Sequence, residues 1–132
     1  MNKERGQVLP LVLVAIAVGT LLISPFLTQA SASLISSRDY GLLMANQHSA
    51  EAGIEHAIWD LTYDDLASEF STPGDSFSYQ LSEAVNGTKP TITVIMTGTP
   101  NYSISSSALG TTITTGVNIT SQTVSIISWQ VE

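Results

Sequence analysis

His48, Glu51, Glu55 and His56 bring four potential metal ligands into one short stretch. Imidazole and carboxylate together suit zinc or a di-iron pair, provided the side chains converge. The surrounding spacing predicts a helix. On it the successive residues Glu55 and His56 point in different directions, and His48 and His56 stand about two turns apart. Neither the His-Glu-x-x-His pattern nor the Glu-x-x-His repeat of di-iron bundles is present. The expectation is a solvated helix face and no bound metal. Asp60, Asp64 and Asp65 offer calcium-type oxygens but lack EF-hand spacing, and read as a solvated helix end.

Nucleophiles and phosphate cradles are no better supplied. The chain has no cysteine, which excludes disulfides, thiolate catalysis and Cys-ligated metal centres. Serines are abundant, yet no Gly-x-Ser-x-Gly elbow and no base–nucleophile set can be read. "GTTITTG" (110–116) lacks the lysine of a phosphate-binding loop. No catalytic or cofactor-binding residue is expected, and an enzyme is the least supported class. Formal charge is −7, and the four basic residues are Lys3, Arg5, Arg38 and Lys89. Nucleic-acid binding needs many phosphate-neutralising cations, so a nucleic-acid partner is not expected. The Asn86, Asn101 and Asn118 triplets match glycosylation acceptors, a pattern that also arises by chance in Ser/Thr-rich sequence.

The strongest signal lies in the elements. Val8 to Leu27 is an uncharged apolar run. At about 1.5 Å per residue it is long enough, as a helix, to cross the roughly 30 Å hydrocarbon layer. Lys3 and Arg5 flank it, which predicts a cytoplasmic N-terminus and the remainder outside. Pro25 is expected to kink or locally unwind the helix, with Gly19 a second loosened point. A cleaved secretory signal is the alternative, since "LTQASA" (27–32) offers small residues, although the apolar core exceeds the usual 7 to 15 residues. Ala50, Ile54, Ala57, Ile58 and Leu61 then recur at steps of three and four. That spacing predicts that the helix continues to about Leu66 with one face docked on the rest of the chain.

"STPGD" (71–75) changes the period to two. Phe77, Tyr79 and Leu81 alternate with polar residues, and "NGTKP" (86–90) carries a hairpin-type Asn-Gly turn. Segments 91–97, 101–105, 111–115, 117–120 and 123–131 are β-branched and read as strands. Trp59 and Trp129 could serve as interface anchors, but packing between helix and sheet is the simpler expectation. A final strand running through "SIISWQVE" presents an edge that another chain could pair with. The predicted class is α+β: a long N-terminal, partly transmembrane α-helix packed on a small antiparallel β-sheet head. Its divisions are a basic leader (1–6), an apolar membrane or filament-core helix (7–27), an amphipathic continuation (28–70) and a Ser/Thr-rich sheet head (71–132).

The basic segment ending in Gly6, directly before "QVLPLVLVAIAV", followed by "AEAGIEHAIWDL" (50–61), resembles type IV pilin-like proteins, in particular PilX-like minor pilins and pseudopilins. The resemblance covers about half the chain, and the sheet region carries no matching motif. It implies recognition of Lys3, Arg5, Gly6 and Gln7 by a prepilin peptidase, with cleavage between Gly6 and Gln7. It also implies a helix, including Leu11, Ala15, Gly19 and Pro25, that packs first in lipid and then against other pilin-like subunits. The implied partners are those subunits, the peptidase, an inner-membrane assembly platform and membrane lipid. The implied location is the membrane, single-pass, and then a surface filament. Two positions depart from the family. Leu11 stands where major pilins carry a glutamate at the fifth mature position, which points to a minor subunit, and Gln7 replaces the usual phenylalanine. "RGQVLPLVLV" also resembles the anchor of Tad-type pilus assembly proteins, in which the span can remain uncleaved. A membrane-anchored extracytoplasmic binding domain that never polymerises is therefore the alternative.

Overall fold

The computed structural model describes residues 8–120 and 123–132. The leader positions Lys3, Arg5, Gly6 and Gln7 lie outside them. The described chain opens with one α-helix, α1 (Val8–Tyr63), followed by a short 3-10 helix (Asp65–Glu69). Five strands follow: β1 (Ser76–Gln80), β2 (Thr91–Gly98), β3 (Asn101–Ala108), β4 (Thr111–Thr120) and β5 (Thr123–Val131). The α+β class read from the sequence is the class observed. The chain divides into two units between Tyr40 and Gly41.

The first unit is helix. From Val8 to Met44 the side chains of α1 are exposed except for the partly buried Gly19. Three hydroxyls in this stretch bond back to the helix itself: Thr20 Oγ1 donates to the Ile16 carbonyl at 3.0 Å, Thr28 Oγ1 to the Ser24 carbonyl at 3.0 Å and Ser31 Oγ to the Leu27 carbonyl at 2.6 Å. An apolar helix tolerates serine and threonine when each hydroxyl finds such a carbonyl, because no polar atom is then left bare to lipid. The helical assignment runs through both Gly19 and Pro25. The local unwinding expected at Pro25 does not occur.

The second unit, Gly41–Glu132, holds the end of α1 and the sheet. The strands form an antiparallel meander in the order β1-β2-β3-β4-β5. Asn86 and Gly87 occupy the two central positions of a tight turn at φ 51° and 79°, with Val85 and Thr88 exchanging both backbone bonds. Two consecutive positive φ values define the hairpin turn whose twist matches its flanking strands, which explains Asn-Gly at this point. Segments 111–115 and 117–120, expected as separate strands, are one strand. Gly116 continues the ladder, and an added Cβ there would meet Ser128 Oγ at 2.8 Å.

Ile92, Val94 and Met96 of β2, Tyr102, Ile104 and Ala108 of β3, and Ile113 and Val117 of β4 form the sheet's half of the core. Ala50, Ile54, Ala57 and Leu61 supply the helix's half. The layers approach closely at Gly53, where a Cβ would collide with Ser106 Oγ and lie 3.2 Å from Ile92 Cγ1. Ser49 Oγ lies 2.6 Å from the Val85 carbonyl and so ties the helix to the hairpin before β2.

Helix α1 ends at Tyr63, earlier than the expected continuation through residue 66 and the boundary at 70. Asp64 takes an extended backbone (φ −114°, ψ 177°) and its carboxylate accepts from the Asp65 N–H, capping the 3-10 turn that follows. A short acidic side chain competes for backbone donors in this way and stops a helix that apolar periodicity alone would extend. The two tryptophans also depart from expectation. Trp59 is 55% exposed beside Tyr63, and Trp129 on β5 is 43% exposed. Neither is sandwiched between helix and sheet.

Candidate functional site

Two regions carry the residues singled out by the sequence. Leu11, Ala15, Gly19 and Pro25 lie along the apolar part of α1, where Leu11 is 70% exposed and Gly19 has nothing within 4 Å of where a Cβ would sit. This helix is long and apolar enough to cross a membrane. Small residues along such a helix permit close approach of a neighbouring helix, which is the main source of helix affinity once lipid and side chains are equally apolar.

The second region is the seam between the last turns of α1 and the sheet. Ala50, Ile54 and Ala57 are fully buried, Leu61 nearly so, and Ile58 packs at the margin of the core. Burying one such large aliphatic side chain contributes about 1.5–3 kcal/mol. The off-face residues pair among themselves. His48 Nδ1 lies 3.1 Å from Glu51 Oε2, and Gln47 Nε2 donates to Glu51 Oε1 at 3.0 Å.

Where α1 runs past β1, a polar cluster forms that the sequence did not reveal. Tyr79 Oη donates to Asp60 Oδ2 at 2.8 Å, and His56 Nδ1 lies 2.9 Å from the same oxygen. The His56 and Tyr79 rings are tilted at 6.1 Å between centroids. Asp60 and Tyr79 line one wall of a cavity of about 390 Å³, to which Asp64, Asp65, Glu69 and Phe77 also contribute. The only hint in the sequence was the four-residue step from His56 to Asp60. The link to Tyr79 depends on which strand lies next to the helix.

Burial, then the hydrogen bond to Asp60 and its charge, push the Tyr79 hydroxyl far above its ordinary value of 10.0. Tyr79 therefore acts as a fixed donor that pins β1 to α1, and it is unsuited to serve as a phenolate base. The unfolded tyrosine ionises from about pH 10 while the folded one keeps its proton, so its contribution is complete below pH 10 and is lost as pH rises beyond it. Tyr79→Phe is expected to weaken the fold at neutral pH and to flatten the fall in urea midpoint between about pH 9 and 11. An unchanged alkaline slope in the variant would remove Tyr79 from this role.

Asp75 closes the loop before β1. Its carboxylate accepts from the backbone N–H groups of Ser71 and Thr72, both at 2.8 Å, and from the Thr72 hydroxyl at 3.0 Å. The Thr72 N–H, then that of Ser71 and the Thr72 hydroxyl hold its carboxyl below the usual value.

Among the described residues no group of three or more His, Cys, Asp or Glu converges to hold a metal ion. On α1, His48 pairs with Glu51 and His56 with Asp60, as two separate pairs. No family model, curated protein or solved structure matches the chain.

Proposed function

We propose that this chain is a minor, pilin-like structural subunit without enzymatic activity, anchored in a membrane through α1 and displaying its sheet on the extracytoplasmic side. The observation that carries the reading is the division of labour along one helix. Its N-terminal part is uncharged, apolar and exposed from Val8 to Leu27, and the same helix buries Ala50, Ile54, Ala57 and Leu61 against its own sheet. A soluble domain has no use for an exposed apolar run of this length, whereas lipid or a bundle of like helices satisfies it.

In this reading Lys3 and Arg5 hold the leader on the cytoplasmic side and prepilin peptidase cuts between Gly6 and Gln7. The assembly platform then moves the helix from lipid into contact with other pilin-like subunits. Ala15 and Gly19 allow close helix approach there. Leu11 brings no carboxylate to pair with a neighbour's terminal amine, which suits a minor subunit, because an unpaired charge in a greasy core is costly and a paired one sets register.

The test is the intact mass of the protein recovered from membranes and from sheared surface material. A mature chain beginning at Gln7 and present in the sheared fraction is the expected result. A chain retaining Met1 and confined to membranes would overturn the filament reading and leave an anchored extracytoplasmic domain.

A further inference from the structure

We propose that β5 is a homodimerisation edge, through which two copies of this chain pair antiparallel. β5 is the outermost strand of the sheet, and among the described residues nothing pairs with its outer edge. Thr123–Val131 contains no charged residue and no proline, so it lacks two of the usual devices that block edge-to-edge pairing. A row of free backbone N–H and C=O groups is satisfied by another strand.

The side chains say which strand. Val124, Ile126, Trp129 and Val131 stand opposite Ile119, Val117, Thr115 and Ile113 of β4, and the last three of these are buried in the core. The stripe on β5 therefore continues the core face, yet it is 36%, 58%, 43% and 48% exposed in the same order. A register shift against β4 at Gly116/Val117 breaks the alternation between Ile126 and Ser128. As a result the apolar positions are symmetric about the middle of the strand. A two-fold axis between Ile127 and Ser128 sets Val124 opposite Val131 of the second copy and Ile126 opposite Trp129, with Ser125 opposite Gln130. Every stripe residue then meets a stripe residue, the self-complementarity that a two-fold interface requires.

Length and charge favour this partner over the other free edge. β1 has five residues to offer against the nine of β5. Asp60, Asp64, Asp65 and Glu69 gather beside β1, four strands away from β5. Pairing through β5 keeps the two acidic sides about nine strand spacings apart, roughly 43 Å and well beyond the Debye length. An edge about 30 Å long with one side-chain stripe falls short of the roughly 1,000 Å² expected of a stable interface, so pairing is weak in dilute solution.

Because the chain has no native cysteine, single substitutions report on contacts directly. Full-length Ser125→Cys and Gln130→Cys, carrying different tags, are mixed in phosphatidylcholine vesicles and in detergent and oxidised mildly. Both positions are exposed and face away from the core. The mixture is expected to give a disulfide-linked heterodimer at least ten-fold faster than Ser125→Cys alone, whose two copies would sit five residues out of register. Equal rates for the two samples, or no heterodimer in either medium, would overturn the proposal. Flotation of the vesicles reports separately on anchoring, so the two readings fail independently.

Discussion

Ile54→Ala is expected to lower the unfolding free energy of the sheet-bearing unit by about 2–5 kcal/mol, a large share of what a small domain possesses. Ile54 is fully buried where α1 meets the sheet, flanked by the equally buried Ala50 and Ala57. The neighbouring close approach at Gly53 leaves little freedom for the layers to settle into the space vacated. Cavity cost therefore adds to lost transfer energy, and a fall in melting temperature of about 10–30 °C follows for a unit of this size. The measurement is thermal unfolding of the full chain in detergent, followed by near-UV circular dichroism. Ile35→Ala supplies the comparison, since Ile35 lies on the same helix but is 62% exposed. An exposed truncation costs within about 0.5 kcal/mol, so equal effects of the two substitutions would show that the seam does not hold the sheet.

Val18→Arg carries the second large effect, on membrane partitioning. Val18 stands near the middle of the uncharged Val8–Leu27 segment of α1 and is 50% exposed. At the centre of a spanning helix, arginine for valine shifts insertion by about 3–4 kcal/mol, which corresponds to a hundred-fold or larger loss in partitioning. The expected result is that the variant no longer floats with vesicles while its sheet stays folded, since Val18 lies in the other unit. Leu42→Arg, on an exposed position of α1 beyond the apolar run, is expected to leave flotation unchanged. Undiminished flotation of Val18→Arg would count against a spanning helix.

Much of this protein was legible in its sequence because its two halves obey different periods. An uncharged apolar run of this length is, as a helix, long enough to cross a bilayer. The three- and four-residue spacing of Ala50, Ile54, Ala57 and Leu61 marks one face of a helix, and the alternation in 91–97 marks a strand with one buried side. Asn86-Gly87 specifies its turn because few other residue pairs accept two positive φ values. These are local properties, written residue by residue.

The tertiary structure decided what depends on the competition between elements. Helix α1 stops at Tyr63 because the Asp64 side chain captures a backbone donor, a contest that periodicity does not register. The Tyr79–Asp60–His56 cluster joins residues far apart in the chain and exists only because β1 runs beside α1. Trp129 and its stripe stay uncovered for a reason of width. One helix about 10 Å across roofs two or three strands spaced about 4.8 Å apart, so a five-stranded sheet keeps an edge beyond its reach. The sequence determined that β5 has an apolar side; only the packing of a single helix over β2 to β4 left that side exposed.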